Sequence, residues 1–172
     1  MPYLRYKNGI EYRPPNTGTR NNVAGENFSG STAETIISQV LVPSNTFVIG
    51  DMIDVYTLLT KNTTGTSTVR LRIGTGGTTS DIVVATNVTA GTTTQWAPIL
   101  RKYIVAQPNG STYGFSGTTS SPTFVNESGA IEFFNLNWTK DNYISVTSQA
   151  SALGTVVNVE CIKLKRSNVL TK

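Results

Sequence analysis

The chain has 172 residues, enough for one domain with a core of its own, and only 14% of them are charged. Its net charge is +4, too thinly spread for the dense basic face that nucleic-acid binding needs. It has no histidine and a single cysteine, Cys161, which removes the usual triad base, the commonest zinc ligand and any internal disulfide.

Polarity comes instead from Thr, Ser, Asn and Gly, with Thr the commonest residue. Thr is β-branched and polar, which suits the solvent face of a strand. Good helix formers are sparse. The composition predicts an all-β fold before any pattern is read.

Residues 1–32 show no period and carry Pro2, Pro14, Pro15 and the run NTGTRNNVAGENFSGS. They predict an extended N-terminal arm, with the folded domain over residues 33–172. Up to Gly25 the charges are Arg5, Lys7, Arg13 and Arg20 against Glu11, a net +3. An acidic protein surface fits this arm at least as well as nucleic acid does. Tyr3, Leu4, Tyr6, Ile10 and Tyr12 place apolar surface in it, which a solvated tail does not need. These five are the candidate anchor, packing on the domain or on a partner. The opening MPYLRYKNG has no apolar signal-peptide core, and no apolar run approaches the length of a membrane span. Neither export nor membrane contact is expected. Six Asn-x-Ser/Thr sequons occur, at Asn27, Asn62, Asn87, Asn109, Asn126 and Asn137, as arises easily in a chain this rich in Asn, Thr and Ser.

From Ala33 the chain reads as short strands separated by turns. ETIISQVLV ends at Pro43, DMIDVYTLLT follows, and NTTGTS turns the chain. In TVRLRIG the alternation sends Val69, Leu71 and Ile73 inward and Arg70 and Arg72 outward. The glycines of the next stretch, GTGGTTSD, stand where a phosphate-binding loop would begin. A P-loop needs a Gly-Lys-Ser/Thr ending, the dinucleotide fingerprint needs a third glycine where Thr79 stands, and both need a helix next. The β-branched DIVVATN follows instead, so the stretch predicts a hairpin connection. TQWAPILRKYIVA comes next, broken by Pro98, then a Gly/Ser/Thr-rich loop over about 107–129. AIEFFNL, NYISVTS and TVVNVECIKLK complete the set. In the last, Val157, Val159 and Cys161 share one phase while Ile162 and Leu164 take the other. Cys161 is read as a small core residue, and a β-bulge is expected near Cys161–Ile162. The result is an antiparallel β-sandwich or barrel of about eight strands.

No catalytic set emerges. Asp51 and Asp54 fall on opposite faces of one strand, and Asp51, after Gly50, is expected at the turn into it. No cofactor and no metal site is expected, and the chain is not expected to be an enzyme. Aromatic rings can form a sugar platform or a core. Tyr113, Phe115 and Phe124 lie in or beside the long loop and are the candidate receptor or ligand contacts, with packing as the alternative.

Two stretches resemble a family. LVPSNTFVIGDMIDVYTLLTKN has the pattern of a Pro-x-x-Thr-Phe-x-x-Gly-Asp turn followed by a strand, and NLNWTKDNYISVTSQAS that of an Asp-Trp-Thr-x-Asp strand pair, with VRLRIGTG between them. Asn137 stands where the pattern has aspartate. In order and spacing, over roughly Thr35 to Lys165, they resemble the jelly-roll structural proteins of tailed bacteriophages, as in head fibres and tail fibres. The resemblance implies a jelly roll, homotrimers, and a place on the virion exterior after assembly in the host cytoplasm. Its implied partners are other virion proteins and, for a tail-fibre-type adhesin, host-surface carbohydrate. A carbohydrate-binding module without catalysis is the alternative, and a capsid subunit with an RNA-facing arm a third.

Overall fold

The computed structural model describes residues 4–6, 9–12, 27–29, 31–61, 65–89, 99–107, 112–115 and 131–167. These residues form twelve strands and no helix: β1 (Leu4–Tyr6), β2 (Gly9–Tyr12), β3 (Asn27–Ser29), β4 (Thr35–Val42), β5 (Met52–Lys61), β6 (Ser67–Gly74), β7 (Ile82–Val88), β8 (Ile99–Val105), β9 (Thr112–Phe115), β10 (Ile131–Phe134), β11 (Asn142–Ala150) and β12 (Val156–Ser167). The larger sheet runs β1–β2–β12–β5–β8–β9–β10, with β3 also paired to β12, and the smaller runs β4–β11–β6–β7. Every pairing is antiparallel.

The two sheets face each other over one core. Ile53, Val55 and Leu59 of β5, Ile104 of β8 and Ile162 and Leu164 of β12 meet Ile37 and Val40 of β4, Val69, Leu71 and Ile73 of β6 and Ile144 and Val146 of β11. The period of two produces this: in β5 every second residue is buried along its whole length. The fold is an antiparallel β-sandwich, as the alternation predicts.

The GTGG stretch is the hairpin between β6 and β7, and a strand follows it. Gly77 adopts φ 62°, where a side chain is strained, and a Cβ at Gly74 would lie 2.5 Å from Asp81 Oδ1. The Asp81 carboxylate accepts the Gly76 and Thr78 N–H groups at 3.2 and 3.1 Å. The anion that these loop amides hold is the chain's own.

Several expectations are corrected. Among the described residues of 33–172 there are nine strands, one more than the stretches read as strands, because β9 forms inside the stretch read as a long loop; four residues are too few to show a period among so many Gly, Ser and Thr. Arg72 projects from the outer face but is only 9% exposed. Glu34, from the segment before β4, covers it, and its Nη1 donates to the Asp81 carbonyl at 2.6 Å. The β12 bulge falls one residue before the expected place: Val159 pairs with Leu59 and Cys161 with Leu58, so Glu160 is the extra residue. Val157 and Val159 before it, and Ile162 and Leu164 after it, are therefore all buried, and Cys161 is half-buried on the other face rather than in the core.

The segment read as an arm contributes three strands. β1 and β2 form a hairpin, and β2 lies along β12 with Tyr12 opposite Ile162 and Ile10 opposite Leu164. β3 continues along the same edge of β12, with Phe28 opposite Val157. β2 and β3 pair with β12 on either side of its bulge.

Candidate functional site

Two loops meet at one end of the sandwich: residues 43–51 between β4 and β5, and residues 135–141 between β10 and β11. Pro43 cannot continue the ladder and ends β4. Asn45 turns the chain at φ 59°, a left-handed conformation that Asn tolerates better than most residues. Its N–H donates to the Trp138 carbonyl at 2.8 Å, and the Ser44 N–H donates to Asp141 Oδ1 at 2.7 Å, across 97 residues of chain. Asp51 is 3% exposed; its Oδ2 accepts the Val48 N–H at 2.8 Å and lies 2.8 Å from Arg166 Nε. It sits at the turn into β5, on the face opposite Asp54, as expected.

The second loop is fixed in the same way. Asn137 Oδ1 accepts the N–H and hydroxyl of Thr139 at 3.0 and 2.7 Å, closing a tight turn. Buried Asn142 donates to the carbonyls of Asn137 and Lys140 at 2.8 and 2.9 Å. Phe47 and Trp138 pack edge to face, with ring centroids 5.4 Å apart. Trp138 Nε1 donates to Thr112 Oγ1 at 3.0 Å, and the same hydroxyl oxygen accepts from the Gln107 N–H and donates to the Gln107 carbonyl, both at 3.3 Å. The indole is thus tied to β9.

Between the loops lies a pocket of about 280 Å³. Asn45, Phe47, Val48 and Ile49 line one side, Leu136 to Thr139 the other, and Gln107 joins them from the end of β8. Val48 and Ile49 are 50% and 66% exposed, at odds with their apolar character.

Next to it, on the outer face of the larger sheet, Met52, Val105, Tyr113 and Phe133 stand in register across β5, β8, β9 and β10. The Tyr113 and Phe133 rings are 6.2 Å apart, and Phe133 is 71% exposed. Tyr113, one of the three aromatic candidates, is therefore half-buried on a strand rather than in a loop. Phe115 ends the same strand opposite Ile131, and Phe124 lies outside the described residues. The structure brings Tyr113 to Phe133, which the sequence reading did not single out. The pair Phe133–Phe134 carried the signal, since neighbours on a strand face opposite sides and one of two phenylalanines must point out. Of the candidate anchor residues, Leu4 and Tyr6 lie in β1, Ile10 and Tyr12 in β2, and Tyr3 outside the described residues.

The chain matches no protein-family model, no curated protein and no solved structure.

Elsewhere the charged groups serve the framework. Arg72 grips Glu34 with Nε and Nη2 at 2.7 and 2.8 Å, Arg70 Nη1 lies 3.2 Å away, and the Thr147 hydroxyl donates to the same carboxylate. Burial opposes the charge on Glu34, but the hydrogen bonds from Arg72 and Thr147 and the two guanidinium charges outweigh it and hold the carboxyl below its usual range. Lys61, buried at the end of β5, donates to the Gly65 carbonyl at 2.7 Å, and burial pushes its ammonium pKa down. Lys102 pairs with Glu132 at 2.6 Å and lies over the Phe134 ring. Among the described residues no group of three or more Cys, Asp or Glu side chains could hold a metal ion.

Proposed function

We propose that this protein is a non-enzymatic structural component of a tailed-bacteriophage virion, a head fibre or decoration protein on the particle surface. One observation carries the reading. The two stretches that resemble phage structural proteins, Leu41–Asn62 and Asn135–Ser151, meet in a single clamp, in which the motif residues Phe47, Asp51, Trp138 and Asp141 take part alongside the backbone of Ser44 and Asn45. Asn45 binds Trp138, Ser44 binds Asp141, Phe47 packs on Trp138, and Asp51 caps Val48 beside Arg166. Residues so engaged make a rigid end to a sandwich, which is what a motif of a structural family would encode.

The jelly-roll form belongs to the same proposal. The connections β4 to β5, β5 to β6, β7 to β8, β10 to β11 and β11 to β12 each pass from one sheet to the other, which supports it. So does the homotrimer, with the arm of residues 1–32 as the anchor. Leu4 and Tyr6 of β1 and Ile10 and Tyr12 of β2 share one hairpin, whose β2 pairs with β12. A side-chain-resolution reconstruction of purified particles is expected to show trimers of this chain on the outside. A particle preparation that lacks the chain overturns the proposal.

A further inference from the structure

We propose that the pocket between the 43–51 and 135–141 loops binds one neutral sugar residue. That the sugar comes from a host-surface glycan rests on the virion reading; the chemistry of the pocket does not. The site is distinct from Tyr113, Phe115 and Phe124.

Size sets the first limit. At about 280 Å³ the pocket is just below the usual range of ligand sites, roughly 300 to 1,000 Å³. It holds one ring, not a chain of them. Charge sets the second. Its polar walls are Asn45, Gln107, Asn137 and Thr139, and none of its lining residues is charged. A charged ligand would lose water there and gain no counter-charge.

The unused hydrogen-bonding groups set the third. The side-chain amides of Asn45 and Gln107 make no hydrogen bond among the described residues, and Asn137 commits only its Oδ1, to Thr139, leaving its NH2. A carboxamide offers a donor and an acceptor side by side, the complement of two neighbouring hydroxyls. The ligand that matches is rich in hydroxyls and has an apolar side. The C–H face of a sugar is that side, and the exposed Val48 and Ile49, with Phe47 and Trp138 behind them, receive it. These two aliphatics contribute little to the core, so contact with a ligand explains their exposure.

The walls are also held ready. The Asn45 backbone is tied to Trp138, the Asn137 side chain to Thr139, and the Gln107 backbone to Thr112. The backbone needs little further ordering, and the Asn45 and Gln107 side chains are what binding must order.

Titration of the full chain with the methyl glycosides of glucose, galactose and N-acetylglucosamine, followed by saturation-transfer NMR and by the Trp138 indole N–H shift, tests this. At least one should saturate, and methyl glucuronide, which is charged, should bind at least about tenfold more weakly. Asn45→Gly keeps the backbone turn and Gln107→Ala keeps the bonds to Thr112. Together they remove two polar contacts of about 1 kcal/mol each and should weaken binding tenfold or more. Ile49→Ser, at an exposed site, should weaken it as well. The proposal is overturned if no neutral glycoside saturates, if the glucuronide binds best, or if the folded variants bind like the wild type. Incorporation of the double variant into particles should be unchanged, so failure of sugar binding and failure of the virion reading are told apart.

Discussion

Glu34 shows how one residue can decide the state of its neighbours. It precedes β4, is 18% exposed at its side chain, and holds Arg72, which is 10% exposed. Without the carboxylate, a guanidinium remains in a largely dry site. Breaking such a pair costs about 3 kcal/mol, the low end for buried pairs. For a chain of this size that is roughly 6–12 °C in Tm. Glu34→Gln should show this loss at pH 7 in thermal unfolding, with the far-UV spectrum retained. The pH dependence follows from the direction of the shift. Because the folded carboxyl sits below its ordinary value of 4.5, its contribution is fully present above that pH and is lost as pH falls through the depressed value. Wild type and Glu34→Gln should therefore converge in Tm as the pH drops below about 4.5. Parallel curves down to pH 3 would show that the pair contributes no such linkage.

Strand β12 is the element whose register is most informative. Its inward set is Val157, Val159, Ile162 and Leu164, and all four share one face because Glu160 stands outside the ladder as the extra residue. Deleting Glu160 leaves Val159, Cys161, Ile162, Lys163 and Leu164 in strict alternation, with each pairing to β5 preserved. The deletion should be tolerated, with a loss of no more than about 1 kcal/mol in denaturant unfolding. Deleting Lys163 instead moves Leu164 to the outer face and Lys165 to the core. That variant should fail to give a cooperative transition. Equal damage from the two deletions would mean that the bulge itself is required.

At the scale of the whole molecule, the described strands of the first thirty residues are attached to the sandwich through β12. Removing residues 2–30 takes β1, β2 and β3 from the edge of β12 and leaves the hydrogen bond from the Ala150 N–H to the Ser31 carbonyl. The truncated chain should keep its β-sheet circular dichroism and its core, unfold at a lower temperature, and no longer join particles. On the anchor and trimer proposed above, each large apolar side chain buried by the arm would contribute roughly 1.5–3 kcal/mol, so several on three linked arms would outweigh the arm's weak surface charge pairing. Normal incorporation of the truncated protein would remove the anchor role, and sedimentation of the full chain as a monomer, free and on particles, would remove the trimer.

What the sequence determined by itself was local. The period of two placed Val69, Leu71 and Ile73 in the core, the glycines with no helix after them marked the β6–β7 hairpin, and the change of phase in the last strand required a bulge within one residue of where it lies. Each of these follows from side-chain direction along a short stretch of backbone. The order of strands in the two sheets, the burial of Arg72 and Lys61, the half-burial of Cys161 and the pocket were decided only in three dimensions. Arg72 alternates as an outward residue should, and it is buried because Glu34 folds over it from another part of the chain. The pocket has no signature in either motif alone. Its walls meet because Asn45 and Ser44 bind Trp138 and Asp141 across nearly the whole domain, and a contact between distant residues leaves no period in the sequence of either.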